Sequence, residues 1–232
     1  SRYAERLPIG KMDVIQNVPR QRVVDFYEKW YRPELMSVVV VADVEPEKIQ
    51  SLIQDVMGDI PASEKPIERE TYSVPMQTKP VVQIMRDPEQ PYQLIQILEQ
   101  VESHPITTVG DMKNTIITRM ASSIFNMRLS EMSQSADAPW IDAAIANQFI
   151  THTTAFHLLG LLPLNDQFDK GFNTLLEEFL RYKKFGAIQG ELDRAKQNIL
   201  ASAEQTWKNR DKINSSQLAS DIVNSVVTGD TL

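Results

Sequence analysis

The chain has 232 residues, a formal net charge of −7 and no cysteine. That length can bury the core of one large unit or two small ones. The acidic balance argues against a basic nucleic-acid surface, and the lack of Cys removes disulfides, thiolate nucleophiles and Cys-ligated metals. No apolar run approaches the roughly 20 residues of a membrane span.

In chain order, Ser1 to Gly10 read as neither an initiator sequence nor a targeting segment, and the chain stops where a loop would begin, so a piece of a longer protein is expected. Val23, Phe26, Tyr27, Trp30 and Tyr31 recur at helical spacing, between Pro19 and Arg32-Pro33. Trp30 is expected to be buried on that face. Val38, Val39, Val40 and Val41 predict a strand over 38–44, covered on both faces. Pro46 opens a second helix, with Ile49, Leu52, Ile53, Val56 and Met57 on one side and Gly58 at its end. From 59 to 80, Pro61, Pro66, Pro75 and Pro80 punctuate a charged stretch with no period, which reads as a linker.

Beyond the linker, 81–86 and 92–101 predict strands, and Thr108 caps a helix over 111–132. Two further strands are expected over 140–149 and 152–162. Asn165 or Asp166 then caps a helix carrying Phe168, Phe172, Leu175 and Phe179, closed by Gly186, and helices over 189–211 and 215–227 follow. This order predicts an α+β fold of two layers, a mainly antiparallel sheet with helices on one face. The divisions are 1–58, a linker over 59–80, and a second unit over 81–232. The valine strand cannot remain an exposed apolar edge. It is expected to add to the second unit's sheet, within one chain or exchanged between two copies in a strand-swapped dimer.

Candidate chemistry is sparse. His152 and His157 lie an odd number of residues apart on a predicted strand, so they face opposite ways and cannot pair on a metal. His104 precedes Pro105 without an obvious partner, and no H-x-x-E-H, H-E-x-x-H, phosphate-binding loop or nucleophile elbow occurs. Glu177-Glu178 and the pair Glu99 and Glu102 read as solvated carboxylates. Arg20, Arg22, Lys29 and Arg32 read as the outer face of a helix. Its aromatic residues Phe26, Tyr27, Trp30 and Tyr31 read as packing, not as a base-stacking platform. No catalytic, cofactor-binding or metal-binding residue is assigned.

Three stretches resemble the pitrilysin/insulinase family of zinc metallopeptidases, in the family's order. They are Arg6-Leu7-Pro8-Ile9-Gly10 with the helix V-V-D-F-Y-E-K-W-Y-R-P and the valine run after it; Ser123-Ile124-Phe125-Asn126-Met127-Arg128-Leu129-Ser130-Glu131; and Gly190-Glu191-Leu192-Asp193-Arg194-Ala195-Lys196. Ala42 stands where the family commonly has Gly. The resemblance implies paired α+β lobes that close as a clamshell around peptide or unfolded protein. It also implies a zinc site, formed by H-x-x-E-H and a later Glu, upstream of residue 1. The chain would then comprise the end of the metal-bearing lobe (1–58) and a second, non-catalytic lobe lacking its terminal strand (81–232). Zinc would belong to the parent and not to this chain, and the long bacterial members imply a periplasmic setting. Partners would be a polypeptide substrate and the parent's remaining lobes, with no nucleic acid. Two alternatives stand beside this reading: a scaffold or partner subunit of the same fold without activity, and, as a different class, a peptide-binding module that uses a sheet edge.

Overall fold

Helices form where the apolar period is 3.6, because their hydrogen bonds close within the segment. The computed structural model describes every residue except 1, 7, 63–66, 68, 69, 166 and 232. Its helices are α1 (Arg2–Glu5), α2 (Met12–Asn17), α3 (Arg20–Trp30), α4 (Pro46–Met57), α5 (Val109–Ser133), α6 (Phe168–Phe185), α7 (Gln189–Lys208) and α8 (Ser215–Thr228). The strands are β1 (Ile95–Glu102), β2 (Trp140–Thr151) and β3 (Thr154–Pro163). Leu7, Pro66 and the candidate cap Asp166 lie outside the described residues. The chain divides into two units, Ser1–Ser73 with Lys212–Leu232, and Val74–Asp211. The sequence reading runs the second unit to 232, whereas here α8 groups with the first.

The second unit has the two-layer α+β architecture expected. All pairings are antiparallel, in the order β1-β3-β2. The register aligns Ile95, Leu161 and Ala143 in one cross-strand row and Ile97, Leu159 and Ile145 in another. These rows face the helices, where Phe125 and Leu129 of α5, Leu175 of α6 and Trp140 complete the core. Rows of the other parity face away: Gln96, Gly160 and Ala144, then Leu98, Leu158 and Ala146, then Gln100, Phe156 and Gln148.

Side chains set the edges of this arrangement. Thr108 caps α5 as expected: its hydroxyl accepts from the Asp111 N–H at 3.1 Å, and Asp111 Oδ2 accepts from the Thr108 N–H at 2.9 Å. The Asn126 amide holds both main-chain groups of Ile145 on β2, donating to its carbonyl at 3.0 Å and accepting from its N–H at 2.8 Å. Within α6, a Cβ on Gly171 would stand 2.9 Å from the Pro139 carbonyl oxygen, so this helix approaches as closely as it does only with glycine there. Gly186, at φ 70°, closes the helix.

Five expectations are corrected. Residues 81–86 form no strand, and Val81, Val82, Ile84 and Met85 stand open. Residues 38–44 do not join the three-stranded sheet, so the strand does not add within the chain. Both segments have strand composition, but a ladder needs a partner, and none of the described residues supplies one. Trp30 is half-buried, while Val23, Phe26 and Tyr27 on its face are 54–60% exposed. The rings instead stack along the helix, with Tyr27 and Tyr31 4.8 Å apart. The residue that caps α6 is Gln167, not Asn165. His152 sits in the β2–β3 turn and not on a strand.

Candidate functional site: an arginine between two buried glutamates

The polar centre of the second unit is built from three helices. On α5, Ile124, Phe125, Arg128, Leu129 and Met132 share one stripe, which carries Arg128 toward the core side. On α6, Gly171, Leu175, Glu178 and Tyr182 do the same for Glu178. Glu191 lies in the first turn of α7. Glu178 and Glu191 are 6% and 8% exposed.

The Arg128 guanidinium bridges them. It grips Glu191 with two bonds, Nε to Oε1 at 2.6 Å and Nη2 to Oε2 at 2.7 Å. Its Nη1 donates to Glu178 Oε1 at 3.1 Å, and Nη2 also reaches the Gly186 carbonyl at 3.2 Å. The guanidinium carbon lies 5.0 Å from the centre of the Tyr182 ring. The remaining carboxylate oxygens are engaged as well. Glu178 Oε2 accepts from Arg181 Nε at 2.7 Å, and Glu191 Oε2 accepts from the Ile188 N–H at 2.9 Å.

The electrostatics follow from this geometry. The hydrogen bonds from Arg128 are the largest influence on Glu191; burial opposes them, the Ile188 N–H assists, and its carboxyl is held down to about 2. The same bond to Glu191 raises Arg128 above its already high ordinary value. Burial raises the Tyr182 phenol, whose hydroxyl donates to the Ala121 carbonyl at 3.1 Å.

A general acid or base needs a free lone pair or an exchangeable proton near substrate. Here both carboxylates are engaged as acceptors of charge-assisted bonds. An open cavity of about 600 Å³ adjoins the cluster, lined in part by Arg128, Lys170, Arg181, Glu131, Asp137 and Glu191. Its charged lining is balanced, three positive groups against three negative.

The residues present do not fit zinc. The place where two buried carboxylates converge is filled by a guanidinium, and a coordinating nitrogen or thiolate is missing from that donor set. The histidines lie apart from it. His157 Nδ1 is 3.4 Å from Glu99 Oε2 on neighbouring strands, and His104 Nε2 is 3.6 Å from Glu102 Oε2. No group of three or more potential ligand side chains gathers among the described residues.

Other sequence candidates stay on the surface. Glu99, Glu102 and Glu177 are exposed. Arg32 donates to the Glu28 carbonyl at 2.9 Å, and Lys29 lies over the Trp30 ring at 5.0 Å. Glu178, expected to be solvated, is buried. The missed signal is its place on the apolar stripe of α6, where a carboxylate needs a cation. Arg128 and Glu191 each lie in a stretch quoted for the family resemblance, but separate stretches do not reveal that they meet.

The second unit is therefore a two-layer α+β unit whose buried charges are locked to one another. Residues 17–199 match the family described as the Peptidase M16 inactive domain, and the chain belongs to that family. It is 26% identical over 230 residues to the probable zinc protease PqqL of Haemophilus influenzae, covering 97% of this chain and 24% of that protein. It superposes on the crystal structure of the periplasmic protease PqqL from Escherichia coli with a TM-score of 0.92 at 21% identity, covering 100% of this chain and 26% of that one. A ferredoxin protease solved in complex with Arabidopsis ferredoxin gives a TM-score of 0.74 at 18% identity, over 98% of this chain and 28% of that one. The chain spans about a quarter of the length of these proteins.

Proposed function

We propose that the chain is the non-catalytic portion of a zinc-dependent metalloendopeptidase. Residues 1–58 end the metal-bearing lobe, 59–80 link, and 81–232 supply most of the second lobe, which walls a chamber for peptides or unfolded proteins. The observation that carries this reading is the inactive-domain match over residues 17–199, in a chain about a quarter as long as zinc-protease relatives.

Zinc and its ligands then come from other parts of the parent, and no residue here has a catalytic, cofactor or metal role. The Arg128 cluster supports this division of labour, because its carboxylates are spent on holding helices together. The partners are the parent's other lobes and a polypeptide substrate, and the relative seen with ferredoxin supports a protein substrate. Likeness to the Escherichia coli enzyme supports the periplasm as the compartment, and no described helix is long and apolar enough to cross a membrane.

The test uses the parent protein. It should contain zinc and cleave a long unfolded polypeptide, and removal of 81–232 should abolish cleavage. A parent without zinc would favour the inactive scaffold reading. Undiminished cleavage after the removal would overturn the supporting role.

A further inference from the structure

The stretch that connects the two units is fastened on either side of a single residue. On the first-unit side, Arg2 of α1 holds Tyr72. Its guanidinium carbon lies 4.4 Å from the centre of the Tyr72 ring, and the Tyr72 hydroxyl accepts from Arg2 and donates to Glu70. On the second-unit side, the half-buried Gln100 of β1 holds main chain 23–26 residues away. It donates through Nε2 to the carbonyls of Val74 and Pro75, each at 3.3 Å, and its Oε1 accepts from the Gln77 N–H at 3.1 Å. Local sequence explains why a side chain does this work. Pro75 keeps Val74 extended but lacks an N–H, so a regular ladder with β1 is broken at that residue. One amide supplies both donor and acceptor instead. Tyr72 and Val74 are half-buried, whereas Ser73 between them is exposed and forms no hydrogen bond among the described residues. The division of the chain into two units falls between Ser73 and Val74.

We propose that Ser73 is a short, taut joint between the two units, moored by Arg2 on one side and by Gln100 on the other. A connection that reads from sequence as a loose linker over 59–80 then has one unmoored residue at its working point. Each residue has two soft backbone dihedrals, so the joint lets one unit turn against the other but not drift from it. Releasing Gln100 would free the chain as far as β1, and a coil of about 20 residues spans ~25 Å root mean square. Nothing in this depends on the peptidase reading, which zinc and cleavage in the parent test separately.

The experiment measures distances between spin labels in the 232-residue chain. It has no cysteine, so labels attach only at Gln50→Cys on α4 and Gln197→Cys on α7, both exposed positions, one in each unit. With both moorings intact the distance distribution should be narrow, and the Gln77 amide should exchange slowly. Gln100→Ala should at least about double the width and release the Gln77 amide. Gln100→Glu keeps the acceptor and loses both donated bonds, so it should fall between the two while leaving β1 in its sheet. Tyr72→Ala should widen the distribution from the other side and leave Gln77 protected. A broad distribution in the unaltered chain would overturn the proposal, as would a Gln77 amide that exchanges there at the free-chain rate. An unchanged width in either Gln100→Ala or Tyr72→Ala would overturn it too, because something other than that mooring would then restrain the units.

Discussion

Arg128 is the residue on which the second unit's charge balance turns. Removing it leaves Glu178 and Glu191 buried without their shared cation, and breaking one side of such a pair costs about 3–5 kcal/mol. Arg128→Ala should therefore lower the urea midpoint steeply. Arg128→Lys should recover little, because an ammonium cannot grip Glu191 with two parallel bonds while also reaching Glu178. A triple change to Met at 128 and Gln at 178 and 191 should fall less far than Arg128→Ala, since it strands no charge. The acid limb follows from Glu191. Its carboxyl is held down from 4.5 to about 2, so its stabilising contribution is complete above the ordinary carboxylate range and is lost as pH falls toward 2. Urea midpoints measured from pH 5 downward should show that loss, and Glu191→Gln should flatten it. An unaltered acid limb in that variant would remove Glu191 from the account.

At the scale of elements, α6 contributes a test of close approach. Ala is ordinarily the better helix residue by about 1 kcal/mol. At Gly171 the sign reverses, because the new Cβ would press on a main-chain oxygen at 2.9 Å and the helix must shift. Gly171→Ala should destabilise by about 1–3 kcal/mol, readable as a lower melting midpoint. The elements also show what could be read in advance and why. Helices α3 to α8 were legible because each closes its hydrogen bonds within itself and advertises a period of 3.6. Strands β2 and β3 were legible because each is the other's hairpin neighbour, whereas β1 was legible by composition alone, its partner β3 lying beyond α5 and its expected neighbour 81–86 forming no strand. The segments 38–44 and 81–86 look just as strand-like, but composition cannot say whether a partner exists. The Arg128 cluster was hidden for a related reason: its members come from positions up to 63 residues apart, and only packing brings them together.

At the scale of the whole chain, the two units differ in what holds them. Helices α1 to α4 and α8 contain no buried residue, whereas α5, α6 and α7 each contribute residues to the interior of the second unit. Amide hydrogen exchange should therefore be fast in 12–57 and 215–228 and slow through 95–163. Uniform protection across both units would contradict the burial pattern.

The Asn126 amide also bears on how the molecule ages in solution. β2 lies at the border of its sheet, and a border with free N–H and C=O groups is a template on which other molecules add strands. One side chain fills that template at Ile145, so a growing fibril would meet an occupied position in the middle of the border. Asn126→Ala should shorten the lag before thioflavin-positive aggregates appear. Gly171→Ala provides the control, because it destabilises the same unit without opening the border. If both variants aggregate with the same lag at matched stability, the border plays no part. If only Asn126→Ala shortens it, a single amide keeps this protein from polymerising.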